Sequence, residues 1–495
     1  MQPSYPRGSQ DGDISDHETG TGQAHGSGLE DEEHSQSRKR LLGTGNSSSC
    51  LENLPAELRS RILSSIPDLP TLRSLVHASP VLHAQYRYGR NGILRACLNR
   101  ELSGFLIDAY ANLKSRVREL GSPRTDQKII EFLNSYRAWL SDSGPHPDLN
   151  SIDAGFIRWM AAYHLSVARP LAGRYCKWAH ANLRRAVSSS RAQKQPVEGS
   201  DVPEDVDICL ERSEEIRVFR SLYRYDTYHH LFGRNQGKRH GGFRHHEINQ
   251  HFFCLFNPWE VEAVGCIDLF VRQKYEEIFD AVKDDLNPQN SRFRLENGIY
   301  NPDGSFDLIG EHDGKQNCPP VHQASIRLLI ETATDYMDGT VSRGLKMTAR
   351  LLAIDNREKL VAKMQRCLTH DESLDDPMRK VLGTVAQSDR RDMSPNSNDE
   401  AEQRRDPIDF VGDGMRPDGP PLAWVLLWGG KYANIYGEYV PESLRRWGYV
   451  MWNERQWNDS GAKELIATQW QTAPELVDEI ENDYDWRPVS NLVLG

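Results

Sequence analysis

LENLPAELRSRILSSIPDLPTLRSLVHASPVLHAQY, residues 51–86, is the stretch on which the reading of this chain turns. Leu54-Pro55-Ala56-Glu57-Leu58 opens a helix. Proline suits a first helical position because its φ is already fixed and the amide hydrogen it lacks would be unpaired there. Asn53 precedes it as an N-cap, and Glu57 places negative charge near the positive helix end. Leu58, Ile62, Leu63 and Ile66 recur at helical spacing, while Arg59, Arg61 and Ser65 lie off that stripe. Pro67 and Pro70 break the helix, and Leu69, Leu72, Leu75 and Val76 build a second short one that Ser79-Pro80 stops. A few short helices cannot bury this much apolar surface among themselves. The remaining face needs either the rest of the chain or another protein.

Outward from this segment the chain reads as mostly α. The first 48 residues are nearly free of apolar groups and are expected to be a disordered tail, within which Arg38-Lys39-Arg40 is a solvated basic cluster. A short-helix segment over 49–90 is followed by a large irregular helical body over 91–383. In that body Ile93, Leu94, Cys97 and Leu98, then Ile129, Phe132, Leu133 and Tyr136, keep helical spacing. Ile157, Met160, Ala161 and His164 do the same before Pro170 ends or kinks the run, and Leu171, Tyr175, Trp178 and Leu183 follow. Composition predicts loops at 188–204 and 285–318 and a disordered insertion at 384–418. Residues 419–495 are an aromatic-rich end of the same body, and no period of about 20–50 residues recurs to suggest a repeat array.

Composition narrows the function classes. The net charge of −11 and pI near 5.9 argue against a general nucleic-acid or membrane-surface binder. No apolar run approaches the length of a membrane span, and no hydrophobic leader is present, so an intracellular protein of the cytoplasm or nucleus is expected. The eight cysteines contain no C-x-x-C pair and read as buried hydrophobes or free thiols.

Three local patterns invite chemistry. His246-Glu247-Ile248-Asn249-Gln250-His251 has one residue too many for H-E-x-x-H. Ligands five apart on a helix are turned by about 140° and cannot share one ion. Glu247, His251 and Cys254 would share a face if the helix continued, which makes them the weak metal candidates of a runner-up, metal-dependent reading of the 229–254 histidine cluster. The glycine-rich, basic run at 233–242 lacks the G-x-x-x-x-G-K-[ST] spacing of a phosphate loop. Trp447 and Met451 would share a face if 445–452 were helical, but aromatic core packing is the favoured reading of these rings. No catalytic residue and no cofactor is expected.

The Leu-Pro-x-Glu-Leu opening, the Ile62-Leu63 pair and the spaced leucines resemble an F-box. The resemblance covers about forty of 495 residues and departs from the family at 78–83, where F-boxes commonly carry a Cys-Lys/Arg-x-Trp-like stretch. It implies docking onto the Skp-type adaptor of a cullin–RING ubiquitin ligase through residues 54–66. Leu54, Pro55, Leu58, Ile62, Leu63 and Ile66 would face the adaptor, and Leu69, Leu72, Leu75 and Val76 would form the small core. The arrangement downstream, notably 253–267 and 444–452, resembles large fungal F-box-like proteins with an unclassified helical body. The implied role is a non-catalytic subunit that recruits an unknown protein substrate. A helical scaffold whose N-terminal helices complete its own core is the alternative.

Overall fold

The computed structural model describes residues 51–121, 124–141, 146–194, 210–235, 238–239, 243–283, 285, 340–367, 378, 382, 397–414 and 418–469. The expected tail at 1–48 and, apart from Asp285, the loop expected at 285–318 lie outside these residues. The chain divides into two compact units, Met1–Leu54 and Pro55–Gly495. Of the first, Leu51–Asn53 form a 3-10 turn, with the Leu54 amide donating to the Leu51 carbonyl at 3.4 Å.

The second unit is mostly α-helical, as the periodicity predicts. It begins with α1 (Ala56–Ser65), α2 (Leu69–Ala78) and α3 (Pro80–Glu101). Proline and a capping side chain start two of them. Asp68 caps α2 by accepting from the Thr71 amide at 2.7 Å, with Pro70 in the first turn, and Ser79 caps α3 ahead of Pro80. Pro70 therefore starts a helix rather than breaking one. Asn53 is not the cap of α1, whose N-cap position is Pro55 and which carries no side-chain cap. The boundary expected at 90/91 falls inside α3, because the apolar spacing of 82–98 is one uninterrupted helical stripe.

Next come α4 (Leu106–Lys114), α5 (Val117–Leu120), α6 (Asp126–Leu140) and α7 (Ala154–Tyr163). From α7 the chain runs through a π-helical turn, His164–Ala168, directly into α8 (Arg169–Lys194). The wide turn is where the helix accommodates Pro170, whose missing amide cannot bond back in the ordinary register. Residues 188–194 of the loop expected at 188–204 belong to α8 instead, and 195–204 lie outside the described residues. Extending an existing helix costs far less than starting one, so Ser188, Ser189 and Ser190 do not stop it.

The centre is α9 (Arg212–Phe232), packed against α4 and against α11 (Pro258–Val282), with α10 (His245–His251) between them in sequence. A short hairpin pairs Arg234–Asn235 with Lys238–Arg239. Beyond α11, helices cover Leu345–Leu352, Arg357–Cys367, Ser397–Arg404, Leu422–Leu427, Glu442–Arg446, Glu454–Ser460 and Lys463–Thr468. The helix Ser397–Arg404 and buried Ile408 correct the expectation of disorder through 397–414. Asp399 and Glu402 are buried there, and Asn434 donates to Asp399, a long-range anchor that composition cannot reveal.

The aromatic end is core, as favoured: Trp424, Trp452 and Trp457 have no exposed surface. Trp447 and Met451 do not share a helix face, because the helix stops at Arg446 and Gly448 turns left-handed at φ +65°. A Cβ on Gly448 would lie 2.6 Å from the Tyr175 hydroxyl oxygen, so both backbone and packing require glycine. Glu262 of α11 fixes this end by accepting from Arg445 at 2.9 and 3.1 Å, from the Gly437 amide at 2.6 Å and from the Tyr449 hydroxyl at 3.3 Å.

Candidate functional site

The stripe read along α1 is two stripes. Leu58 is 43% exposed and Pro55 is also exposed, whereas Leu63 has no exposed surface and joins the core. Neighbouring residues on a helix diverge by about 100°, so Leu63 points away from the face that carries Pro55, Leu58 and Ile62. Ile62 is half-buried, and half-buried Ile66 packs against the core. Leu69, Leu72 and Val76 are buried, with half-buried Leu75 packed against them. Leu54 is half-buried in the preceding unit. Of the six residues expected to face a partner, Leu63 is thus spent on this chain's own core. Burying an aliphatic side chain of that size is worth about 1.5–3 kcal/mol, which holds it there.

Two adjacent residues at the end of α3 fix how α1 and α2 sit. Arg100 donates to the carbonyls of Ser64 and Ile66, satisfying acceptors that the end of α1 leaves open. Glu101, only 4% exposed, accepts from the Leu69 amide, from His164 Nε2 at 3.0 Å and from Arg169. His164 is fully buried in the π turn and its Nδ1 lies 2.9 Å from the Tyr223 hydroxyl of α9. Burial alone would raise the Glu101 carboxyl, but the hydrogen bonds from His164 and Leu69 and the charge of Arg169 hold it below its ordinary range. One carboxylate therefore ties the start of α2 to the π turn and, through His164, to the central helix.

The electrostatics of this region oppose those of the whole chain. Residues 55–100 carry seven arginines against two carboxylates, Glu57 and Asp68, a net charge of +5. Arg61, Arg73, Arg87 and Arg90 are exposed and have no carboxylate partner among the described residues. Leu58 and Tyr88, the latter 93% exposed, are among the few large apolar or aromatic side chains the described surface leaves in solvent. A region that combines exposed apolar side chains with cations lacking carboxylate partners among the described residues is suited to bind a protein surface of complementary charge.

Among the described residues the histidine cluster does not assemble a metal centre. The α10 helix ends at His251, so Cys254 sits in a following 3-10 turn and the supposed common face of Glu247, His251 and Cys254 is absent. Glu247 accepts instead from the Arg244 amide at 2.7 Å, closing the N-terminus of α10. No group of three His, Cys, Asp or Glu side chains among the described residues could hold a metal ion. In the last turn of α9, His229 is buried rather than a polar helix end, while His230 is half-buried. His230 Nδ1 lies 2.9 Å from the Ser115 hydroxyl, and the His229 ring packs at 4.4 Å on Tyr225. Both ring nitrogens of His229 are buried without a hydrogen-bond partner among the described residues, and burial pushes its pKa down to about 3.

The polar residues that organise the body escaped the sequence reading. Asp226 accepts from Tyr163 at 2.6 Å, Asn112 at 3.0 Å and the Leu345 amide at 2.7 Å. Arg224 bridges Asp108 and Glu260, both at 2.8 Å, and stacks over Phe256. Helix α9 is buried on nearly every side, so each charge it carries must be answered internally. These partners are far apart in sequence, and no spacing pattern announces them. Compared with family models, curated proteins and solved structures, the chain matches none.

Proposed function

We propose that this chain is a substrate-recruiting subunit of a cullin–RING ubiquitin ligase and docks onto a Skp-type adaptor through α1. The observation that carries the reading is the division of the α1 stripe. Leu63 is used by the fold, while Pro55 and Leu58 remain in solvent on a helix whose end Arg100 holds through the Ser64 and Ile66 carbonyls. The F-box-like residues of α1 left for a partner are Pro55, Leu58 and Ile62. A fixed apolar helix face binds by helix-in-groove recognition without a large ordering cost. The chain supplies no chemistry in this role. It holds a protein substrate near the ubiquitin-charged enzyme, and proximity raises the rate of transfer.

Co-purification of the full chain with a Skp-type adaptor tests the proposal. Pairing is expected with the unaltered chain and is expected to be lost in the double variant Leu58→Ala with Pro55→Ala. Pairing that survives the double change removes the assignment. A helical scaffold is the second reading, favoured by the anchoring of the N-terminal helices on the body through Glu101 and His164. It predicts no pairing with the adaptor at all.

A further inference from the structure

Between α1 and α3 lies an open cleft of about 420 Å³. Ser60 and Ser64 line one wall, one turn apart on α1, and Arg87, Tyr88, Arg90 and Gly92 line the other. The helices pack close beside it, at Gly89, where a Cβ would meet Ile93 at 3.3 Å and the Ser60 hydroxyl at 3.8 Å. Arg87 and Arg90 are exposed neighbours at i, i+3 on α3. Arg90 lies 5.9 Å over the Tyr86 ring, and neither has a carboxylate partner among the described residues. Like charges at that spacing repel unless an anion sits between them. The serine hydroxyls add donors, and Tyr88 stands in solvent at the edge.

We propose that this cleft receives an acidic peptide segment of a partner protein, with its carboxylates on Arg87 and Arg90 and an apolar side chain against Tyr88. For the identity of the partner the proposal rests on the docking reading above; for its chemistry it rests on charge. The cleft lies in a +5 region of a chain whose total is −11, so acidic matter is drawn to this face and repelled by the molecule as a whole. A nucleic acid would need a longer basic track than two paired arginines, and the overall charge opposes it.

The test uses the full-length chain and a fluorescein-labelled deca-glutamate peptide, followed by anisotropy at about 0.15 M salt, where exposed charges more than about 8 Å apart are largely screened. Saturable binding is expected. Arg87→Glu with Arg90→Glu weakens it about tenfold or more. Gly92→Trp, at a position where an added Cβ meets nothing, fills the cleft and weakens binding comparably while leaving the fold intact. Arg61→Glu with Arg73→Glu makes the same charge change outside the cleft and is expected to weaken binding less than about threefold. Absence of saturable binding, an equal loss in that control pair, or tighter binding of a labelled oligothymidylate overturns the proposal. Adaptor pairing measured on the same variants separates the two readings. Deca-glutamate binding that depends on Arg87 and Arg90 without any adaptor pairing sinks the docking reading and upholds the cleft. Adaptor pairing indifferent to both the arginine pair and Gly92→Trp upholds docking and sinks the cleft.

Discussion

Replacing Glu101 with glutamine changes almost no volume, yet it removes the charge on which three elements converge. The Glu101 side chain is 3% exposed and receives hydrogen bonds from the Leu69 amide, His164 Nε2 and Arg169. A hydrogen bond to a charged group is worth about 1.5–3 kcal/mol, and breaking a buried ion pair costs about 3–5 kcal/mol. The Arg169 side chain is 33% exposed, so water recovers part of its stabilisation once the carboxylate is gone. Glutamine keeps one acceptor oxygen but turns an NH2 group toward donors. Together these place the loss for Glu101→Gln at about 2–4 kcal/mol. Urea unfolding followed by far-ultraviolet circular dichroism measures it, and exchange of the Leu69 amide reports whether α2 loosens first. The pH dependence follows from the lowered carboxyl. Its contribution is complete above the unfolded value, near 4.5, and disappears as pH falls through the still lower folded value. In Glu101→Gln that part of the acid sensitivity is missing. A variant within about 0.5 kcal/mol of the unaltered chain, with the same acid profile, refutes the view that Glu101 anchors the N-terminal helices.

Leu63→Ala and Leu58→Ala separate fold from docking on one helix. The first should cost about 2–5 kcal/mol in urea unfolding and the second less than about 0.5 kcal/mol, while only Leu58→Ala directly impairs adaptor pairing. Gly448→Ala places a side chain at φ +65° against the Tyr175 hydroxyl; at least about 1–2 kcal/mol of stability should be lost, with near-ultraviolet circular dichroism reporting disturbed packing around Trp452. His229→Phe removes two unpartnered buried nitrogens from an aromatic nest and should leave stability at pH 7 unchanged or raise it by about 1 kcal/mol. Because His229 is depressed to about 3 from an ordinary 6.5, the unfolded chain binds its proton first, and stability falls as pH drops from about 6.5 toward 3. That histidine's share should be absent in His229→Phe, and an unchanged acid profile would count against its burial as a neutral ring.

The secondary structure was largely legible because it is local. Helical spacing located α2, the 93–98 part of α3 and, through the run at 129–140, α6, since the apolar period acts within a few residues. The misreadings share one cause. Residues 188–194 and 397–404 lack an apolar stripe of their own and are helical because a neighbouring turn or a distant anchor such as Asn434 supports them. The segment 445–452 has helical spacing but bends at Gly448, where Tyr175 leaves no room for a Cβ.

For the candidate site, the sequence by itself determined which apolar residues α1 would carry and that they exceed what short helices can hide. Only the tertiary structure decided their division. Leu63 turns inward because α1 packs along α3 and the side chain joins the core there, and Leu58 stays in water because Arg100 holds the end of α1 in that orientation. The buried carboxylates Glu101, Asp226 and Glu262 likewise stand in the sequence as ordinary acids. Their weight comes from donors tens to hundreds of residues away, and low polarity in the core makes each such pairing obligatory.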